Sequence, residues 1–231
     1  DMPFVDPNFY KDLFGVEGKL VLLTFGLLAP NKGIEYVLNA LPQIIKSFPN
    51  LVYIVLGATH PNLIKQHGEI YRITLERLAI KNEVQKNTIF YNRYVELEQL
   101  KEFLGAADIY ITPYLNEAQI TSGTLAYSVG AGKSVISTPY WHATELLADN
   151  RGRLVPFANS DAIAKEVINL LTDEPTRHAL RKNAYKLGRE MVWSNVAHMY
   201  LTSFEQARVR TGVMSRKSFL TKTLDQKEID L

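Results

Sequence analysis

Four short stretches of this sequence carry residue types suited to holding an anionic ligand. The first is Gly26-Leu27-Leu28-Ala29-Pro30-Asn31-Lys32-Gly33. Gly26 and Gly33 let backbone approach closely, Lys32 brings a full positive charge, and a helix start offers unpaired N–H groups. The second is Asn92-Arg93-Tyr94, where Arg93 suits a phosphate or carboxylate as well as a surface ion pair. The third runs from Pro113 to Thr124 and places the hydroxyls of Thr121, Ser122 and Thr124 around Gly123. Thr121 or Ser122 also fits a helix N-cap, and a cap and an anion site draw on the same N–H groups. The fourth holds His142 and Glu145; with His60, His142 falls in a loop at the expected ligand edge.

Other chemistries fail on spacing. Gly130-Ala131-Gly132-Lys133-Ser134 resembles a phosphate-binding Walker loop, but the position five before Gly132 is Tyr127. A helix precedes it and a strand follows, the reverse of the required order. No GxGxxG and no Asp-x-Asp occur, and no histidine pair has zinc-type spacing with a third ligand. The chain has no cysteine, so disulfides, thiolate nucleophiles and Cys-type metal sites are excluded. No metal or other cofactor is expected.

These loops need elements to hold them. Leu20 to Phe25 and Leu51 to Leu56 are continuous apolar runs, each ending at a glycine, as in strands buried on both faces. Thr88 to Tyr91, Asp108 to Thr112, Val135 to Thr138 and Arg153 to Val155 read as four more strands. Between them, Ile34, Val37, Leu38, Leu41, Ile44, Ile45 and Phe48 recur at helical spacing. Further helices are expected over about 63–79, around Leu97 to Leu104, over 124–129, in a short turn at 144–147, and over about 163–171, 175–188 and 193–207. The pattern predicts an α/β fold with a Rossmann-like parallel sheet of about six strands and helices on both faces. Ligands then bind beyond the carboxyl ends of the strands.

The chain has 231 residues, 46% hydrophobic and 22% charged, with a net charge of +2. Intrinsic disorder is excluded, no apolar run approaches the ~18 residues of a membrane span, and no secretory signal is visible. The charge is too low to suggest nucleic-acid binding. It is uneven, however: Arg208, Arg210, Arg216, Lys217 and Lys222 fall in 208–222 without an acid, which leaves −3 on the rest. A solvated tail and a weak contact with anionic membrane both fit this stretch.

Taken together, TFGLLAPNKGIEYV (24–37), IVLGATHP (54–61), AADIYITPY (106–114), SGTLAYSVGAGKSVISTPY (122–140) and RGRLVPFANSDAIAKEVINLL (151–171) resemble the C-terminal, donor-binding half of GT-B fold glycosyltransferases of family 4, the group 1 type. The resemblance covers roughly residues 19–204. It implies binding of a nucleotide-diphosphate sugar and glycosyl transfer, with retention, to an acceptor held by another domain. Lys32 and Gly33 match the family's Lys-Gly at the donor diphosphate, but Leu27 stands where the family has Arg; Arg93 is the candidate replacement. The family's two glutamates, one on the donor sugar and one on the ribose, align with Gln119 and Tyr127.

The resemblance thus implies Lys32 and Gln119 as catalytic residues, and Gly26, Gly33, Arg93, Thr121, Ser122, Gly123, Thr124, Tyr127 and His142 as donor-binding ones. It implies a UDP-, GDP- or ADP-linked sugar as partner, and a missing N-terminal acceptor domain. Residues 1–18 are then a linker, 19–207 the donor domain and 208–231 a basic tail. The absence of an initiator Met fits an excised half, inactive in transfer alone. A cytoplasmic location is expected, peripheral to the inner membrane face if the tail binds lipid. Two rival readings share the fold: a module that binds a nucleotide or sugar phosphate without turnover, and a phosphorylase or epimerase, the former suggested by the two lost glutamates.

Overall fold

The computed structural model describes residues 2–210. Its contacts divide the chain into two units, one ending at Arg189 and the other beginning at Glu190.

The first unit is built on a six-stranded sheet. The strands are β1 (Leu20–Phe25), β2 (Leu51–Leu56), β3 (Thr88–Tyr91), β4 (Ile109–Thr112), β5 (Ser134–Ser137) and β6 (Arg153–Leu154). Their order is β3-β2-β1-β4-β5-β6, and every pairing is parallel. Every residue of β2 is buried, as its unbroken apolar run predicts. Two apolar layers account for this. One contains Val37, Leu41 and Ile44 of α1 (Ile34–Ser47) with Ile163 and Val167 of α7 (Ser160–Thr172). The other contains Leu100 and Phe103 of α4 (Leu97–Ala106) with Leu125 and Val129 of α5 (Gly123–Gly130). The chain reverses its direction of travel across the sheet between β1 and β4, so the loops after these two strands flank an open crevice.

Two expectations are corrected. The helix over 63–79 is two helices, α2 (Pro61–His67) and α3 (Ile70–Lys81). Gly68 separates them at φ 60° and ψ −143°, a conformation that ends the first helix and that side chains disfavour. The turn at 144–147 begins earlier, as α6 (Trp141–Leu146), so His142 lies in a helix's first turn and not in a loop. The other predicted elements agree within three residues, close to the ordinary scatter of helix and strand ends.

Residues 2–16, in the segment expected as a linker, pack under the amino ends of the strands. Met2 and Val16 are buried, and Phe14 stacks on Phe103 with centroids 4.1 Å apart. Lys11 Nζ lies 2.9 Å from Asp108 Oδ2 and donates to the Lys19 carbonyl. Arg181, on α8 (Glu174–Glu190), donates to the carbonyls of Val5 and Gly132.

In the second unit, α9 (Trp193–Arg210) spaces Trp193, Ala197, Tyr200, Phe204 and Ala207 four and three residues apart. The basic stretch beyond Arg210 lies outside the described residues. No described helix is long and apolar enough to cross a membrane.

Candidate active site

A cleft of about 370 Å³ opens at the carboxyl edge of the sheet. Its floor is the tips of β1 and β2. Gly57 has φ +147°, and a Cβ there would sit 1.9 Å from the Gly26 carbonyl oxygen. A Cβ on Gly26 would meet Thr124 Cγ2 at 3.2 Å. The two glycines therefore bring the β1 tip, the β2 tip and the start of α5 to backbone distance. Their N–H groups are already used: Gly26 donates to Leu56 and Gly57 to Tyr91. These glycines make room for a ligand rather than donating to it.

One wall is the first turn of α5. Ser122 is its N-cap, with Oγ accepting from the Leu125 N–H at 3.3 Å. The N–H groups of Gly123 and Thr124 have no intrahelical acceptor, and both residues line the cleft. They stand at the positive end of the helix dipole, where an anion is favoured. Tyr127, one turn later, is half exposed and also lines the cleft. The opposite wall is Arg93, Tyr94 and Val95 after β3, with Leu97 and Leu100 of α4. Arg93 is exposed, with its guanidinium 5.9 Å from the Tyr91 ring centroid.

The remaining predicted residues sit behind α5's first turn. Lys32 does not line the cleft; its Nζ lies 3.8 Å above the Tyr114 ring centroid. The Tyr114 hydroxyl is 2.9 Å from Thr124 Oγ1, which is 3.1 Å from Ser122 Oγ. Tyr114 thus links the Lys32 ammonium to the start of α5. Gly33, at φ +63°, tucks under Pro113, whose carbonyl oxygen would be 2.1 Å from a Cβ. Its N–H donates to Pro30, so Gly33 is a packing residue for the loop and not an anion donor.

The loop after β4 folds back onto α6. Gln119 Nε2 donates to the Thr121 carbonyl at 2.5 Å. The His142 N–H donates to the Gln119 carbonyl and the Trp141 N–H to Glu117. The Ser122 N–H donates to His142 Nδ1 at 3.0 Å. This bond assigns the imidazole proton to Nε2. Burial lowers the His142 pKa below the ordinary histidine range, against an opposing pull from Glu145, so the ring is neutral near pH 7. His60 instead caps α2, accepting from the Asn62 N–H.

The structure therefore brings Gly26, Arg93, Gly123, Thr124 and Tyr127 to one cleft, and Gln119, Thr121, Ser122 and His142 to one hydrogen-bonded loop cluster beside it. Gly57, Tyr94 and Tyr114 complete the arrangement and were not singled out from sequence. Gly57 had a signal, since two adjacent apolar strands both end in glycine. Lys133 lies elsewhere: it is fully buried and donates to the Gly105 and Ala107 carbonyls.

A family model described as glycosyl transferases group 1 matches residues 7–187. A phosphatidyl-myo-inositol mannosyltransferase of Mycolicibacterium smegmatis is 24% identical over 190 residues, 82% of this chain and 45% of the relative. The chain spans about half the length of the curated relatives it matches. The solved C-terminal domain of a group 1 family glycosyl transferase (LpcC) from Francisella tularensis has a TM-score of 0.70 at 21% identity, covering 82% of this chain and 94% of that one. Anabaena HepE, solved in complex with UDP and glucose, has a TM-score of 0.75 at 16% identity, covering 87% of this chain and 52% of that one.

Proposed function

Since this chain belongs to the group 1 glycosyltransferases, we infer that its carboxyl-edge cleft binds a nucleotide-diphosphate sugar as the donor for glycosyl transfer. One observation carries the reading. A cleft of about 370 Å³ joins the first turn of α5 on one wall to the apolar side chains of Val95, Leu97 and Leu100 on the other. The helix start suits a diphosphate and the apolar side chains a nucleoside. That Anabaena HepE was solved with UDP supports the same ligand class.

In this reading the Gly123 and Thr124 N–H groups take the diphosphate oxygens, with Lys32 beyond Tyr114 and Arg93 across the cleft as nearby cations. As the anomeric bond breaks, negative charge grows on the leaving diphosphate. Fixed donors in a partly dry site stabilise that charge more than they stabilise the ground state. No divalent cation is required if these groups neutralise it. Gln119 and the His142 Nε2–H face the donor sugar as neutral hydrogen-bond partners. Transfer proceeds with retention, and the acceptor is held by another part of a longer protein. The 231-residue chain alone binds donor and does not transfer it.

Gln119 supports a second reading, a binding module without turnover. It is a neutral amide tied to the Thr121 carbonyl and adds no charge beside an oxocarbenium-like carbon. A thermal-shift panel of UDP, GDP, ADP and sugar phosphates tests donor binding, because a ligand of the folded state raises the melting temperature by mass action. The reading predicts a shift with at least one nucleoside diphosphate. No shift with any of them contradicts it. Slow hydrolysis of the matching nucleotide sugar by the full-length protein separates transferase from binder.

A further inference from the structure

We propose that the cleft does not read the ribose 2′-hydroxyl, so that 2′-deoxyribonucleoside diphosphates bind about as well as their ribonucleotide counterparts. The inference rests on the donor-binding reading above.

Strong recognition of a vicinal diol needs two acceptors held side by side, as on a carboxylate, or an amide presenting an acceptor and a donor together. Among the described residues, none of those lining the cleft carries a carboxylate or a carboxamide. Side-chain polar groups there are confined to Arg93, Tyr94, Thr124 and Tyr127. Arg93 has only donors. Thr124 Oγ1 is already engaged by the Tyr114 and Ser122 hydroxyls. The floor glycines have committed their N–H groups to the sheet. Among the side chains, what remains is two phenols, Tyr94 at 78% exposure and Tyr127 at 50%. Each offers one rotating hydroxyl and a broad apolar face.

Tyr127 lies one helical turn beyond the Gly123–Thr124 anion end and lines the same cleft, within reach of the sugar next to a diphosphate bound there. Its ring can cover a ribose face or stack on the base, and neither contact depends on the 2′-oxygen. A site that hydrogen-bonds a substrate hydroxyl rejects the analogue lacking it by about 10⁴-fold or more, because its own polar groups are left unpaired. Among the side chains lining this cleft there is no paired acceptor to orphan. The cost of losing the 2′-hydroxyl is therefore small.

The test is calorimetric titration of the 231-residue chain with UDP and dUDP, GDP and dGDP, ADP and dADP. The expected result is ribo and deoxy affinities within about threefold for whichever base binds. Tyr127→Glu restores a diol acceptor and should raise the ribo-over-deoxy ratio at least tenfold, whereas Tyr127→Phe should leave the ratio unchanged. Tyr127 is half exposed, so both variants keep the fold. A wild-type ratio above tenfold overturns the inference and leaves donor binding standing. Absence of binding for all six nucleotides overturns both. Comparable wild-type affinities with no added discrimination in Tyr127→Glu show that the sugar does not pass Tyr127, and overturn its assigned place.

Discussion

The two ends of the sheet use the same residue types in opposite ways. At the amino ends, Lys11, Lys133 and Arg181 are buried and each is tied to the chain itself: Lys11 to Asp108, Lys133 to two carbonyls, Arg181 to Val5 and Gly132. At the carboxyl ends, Lys32 rests on an aromatic face and Arg93 is exposed at the lip of a cleft. Glycine differs in the same sense. Gly105 and Gly132 sit close under the rings of Tyr10 and Phe4, while Gly26 and Gly57 hold two strand tips together beside open space. A cation whose every partner is internal is a strut. A cation beside unpaired helix N–H groups is available to a ligand. Residue type alone does not separate the two uses.

Removing a strut should break the first end and spare the second. Asp108→Ala leaves Lys11 buried without its counter-ion and the Val21 N–H without its acceptor. Breaking one side of a buried pair costs about 3–5 kcal/mol, to be read as a lower urea midpoint. Nucleotide affinity of the folded fraction should not change. Gly57→Ala should do the converse. Its Cβ has no room beside the Gly26 carbonyl, so the strand tips must part. We expect a stability loss of about 2 kcal/mol with loss of measurable nucleotide binding.

The buried Lys133 gives the amino end a pH signature. Burial, then the nearby Arg181, lowers its pKa to about 7 in the folded chain. In the unfolded chain it holds its proton until about pH 10.4. Between these values the unfolded state binds more protons, so stability rises as pH increases from about 7 towards 10. The slope should approach ~1.4 kcal/mol per pH unit, and Lys133→Met should flatten it. Urea titrations at pH 7, 8 and 9 read it directly.

Smaller effects are expected at the carboxyl end. Lys32→Ala should weaken nucleoside diphosphate binding by less than about tenfold, as the loss of a nearby charge without a direct contact, and leave nucleoside binding unchanged. Equal losses for both in calorimetry would mean that the Lys32 charge does not act on the phosphates. Gln119→Glu should change donor affinity by less than about threefold, since the acceptor oxygen is kept. A collapse would show that its N–H bond to Thr121 holds the loop in place.

Most of the sheet was legible because its strands are continuous apolar runs and its helices repeat at three and four residues. That signal is local and follows from burial on both faces. The break at Gly68 was not legible, because apolar residues continue on both sides of it. The packing of residues 2–16 was hidden for a different reason. Lys11 reaches Asp108 and Arg181 reaches Val5 over long stretches of the chain, and no spacing rule registers partners so far apart. At the site, sequence located the loops but not their division of labour. Gly33 reads as an anion donor until its N–H is found on Pro30, and Lys32 as a direct ligand until its ammonium is found on Tyr114.

The central claim is that a nucleoside diphosphate is held at the carboxyl edge by the start of α5. Backbone amide chemical-shift mapping of the 231-residue chain during titration with UDP, GDP or ADP tests it most directly. The account predicts the largest shifts at Gly123, Thr124 and Gly57, with Lys133 and Arg181 unmoved. Shifts centred on Lys133, Arg181 and Lys11, with Gly123 and Thr124 unchanged, would place the ligand at the wrong end of the sheet and contradict it.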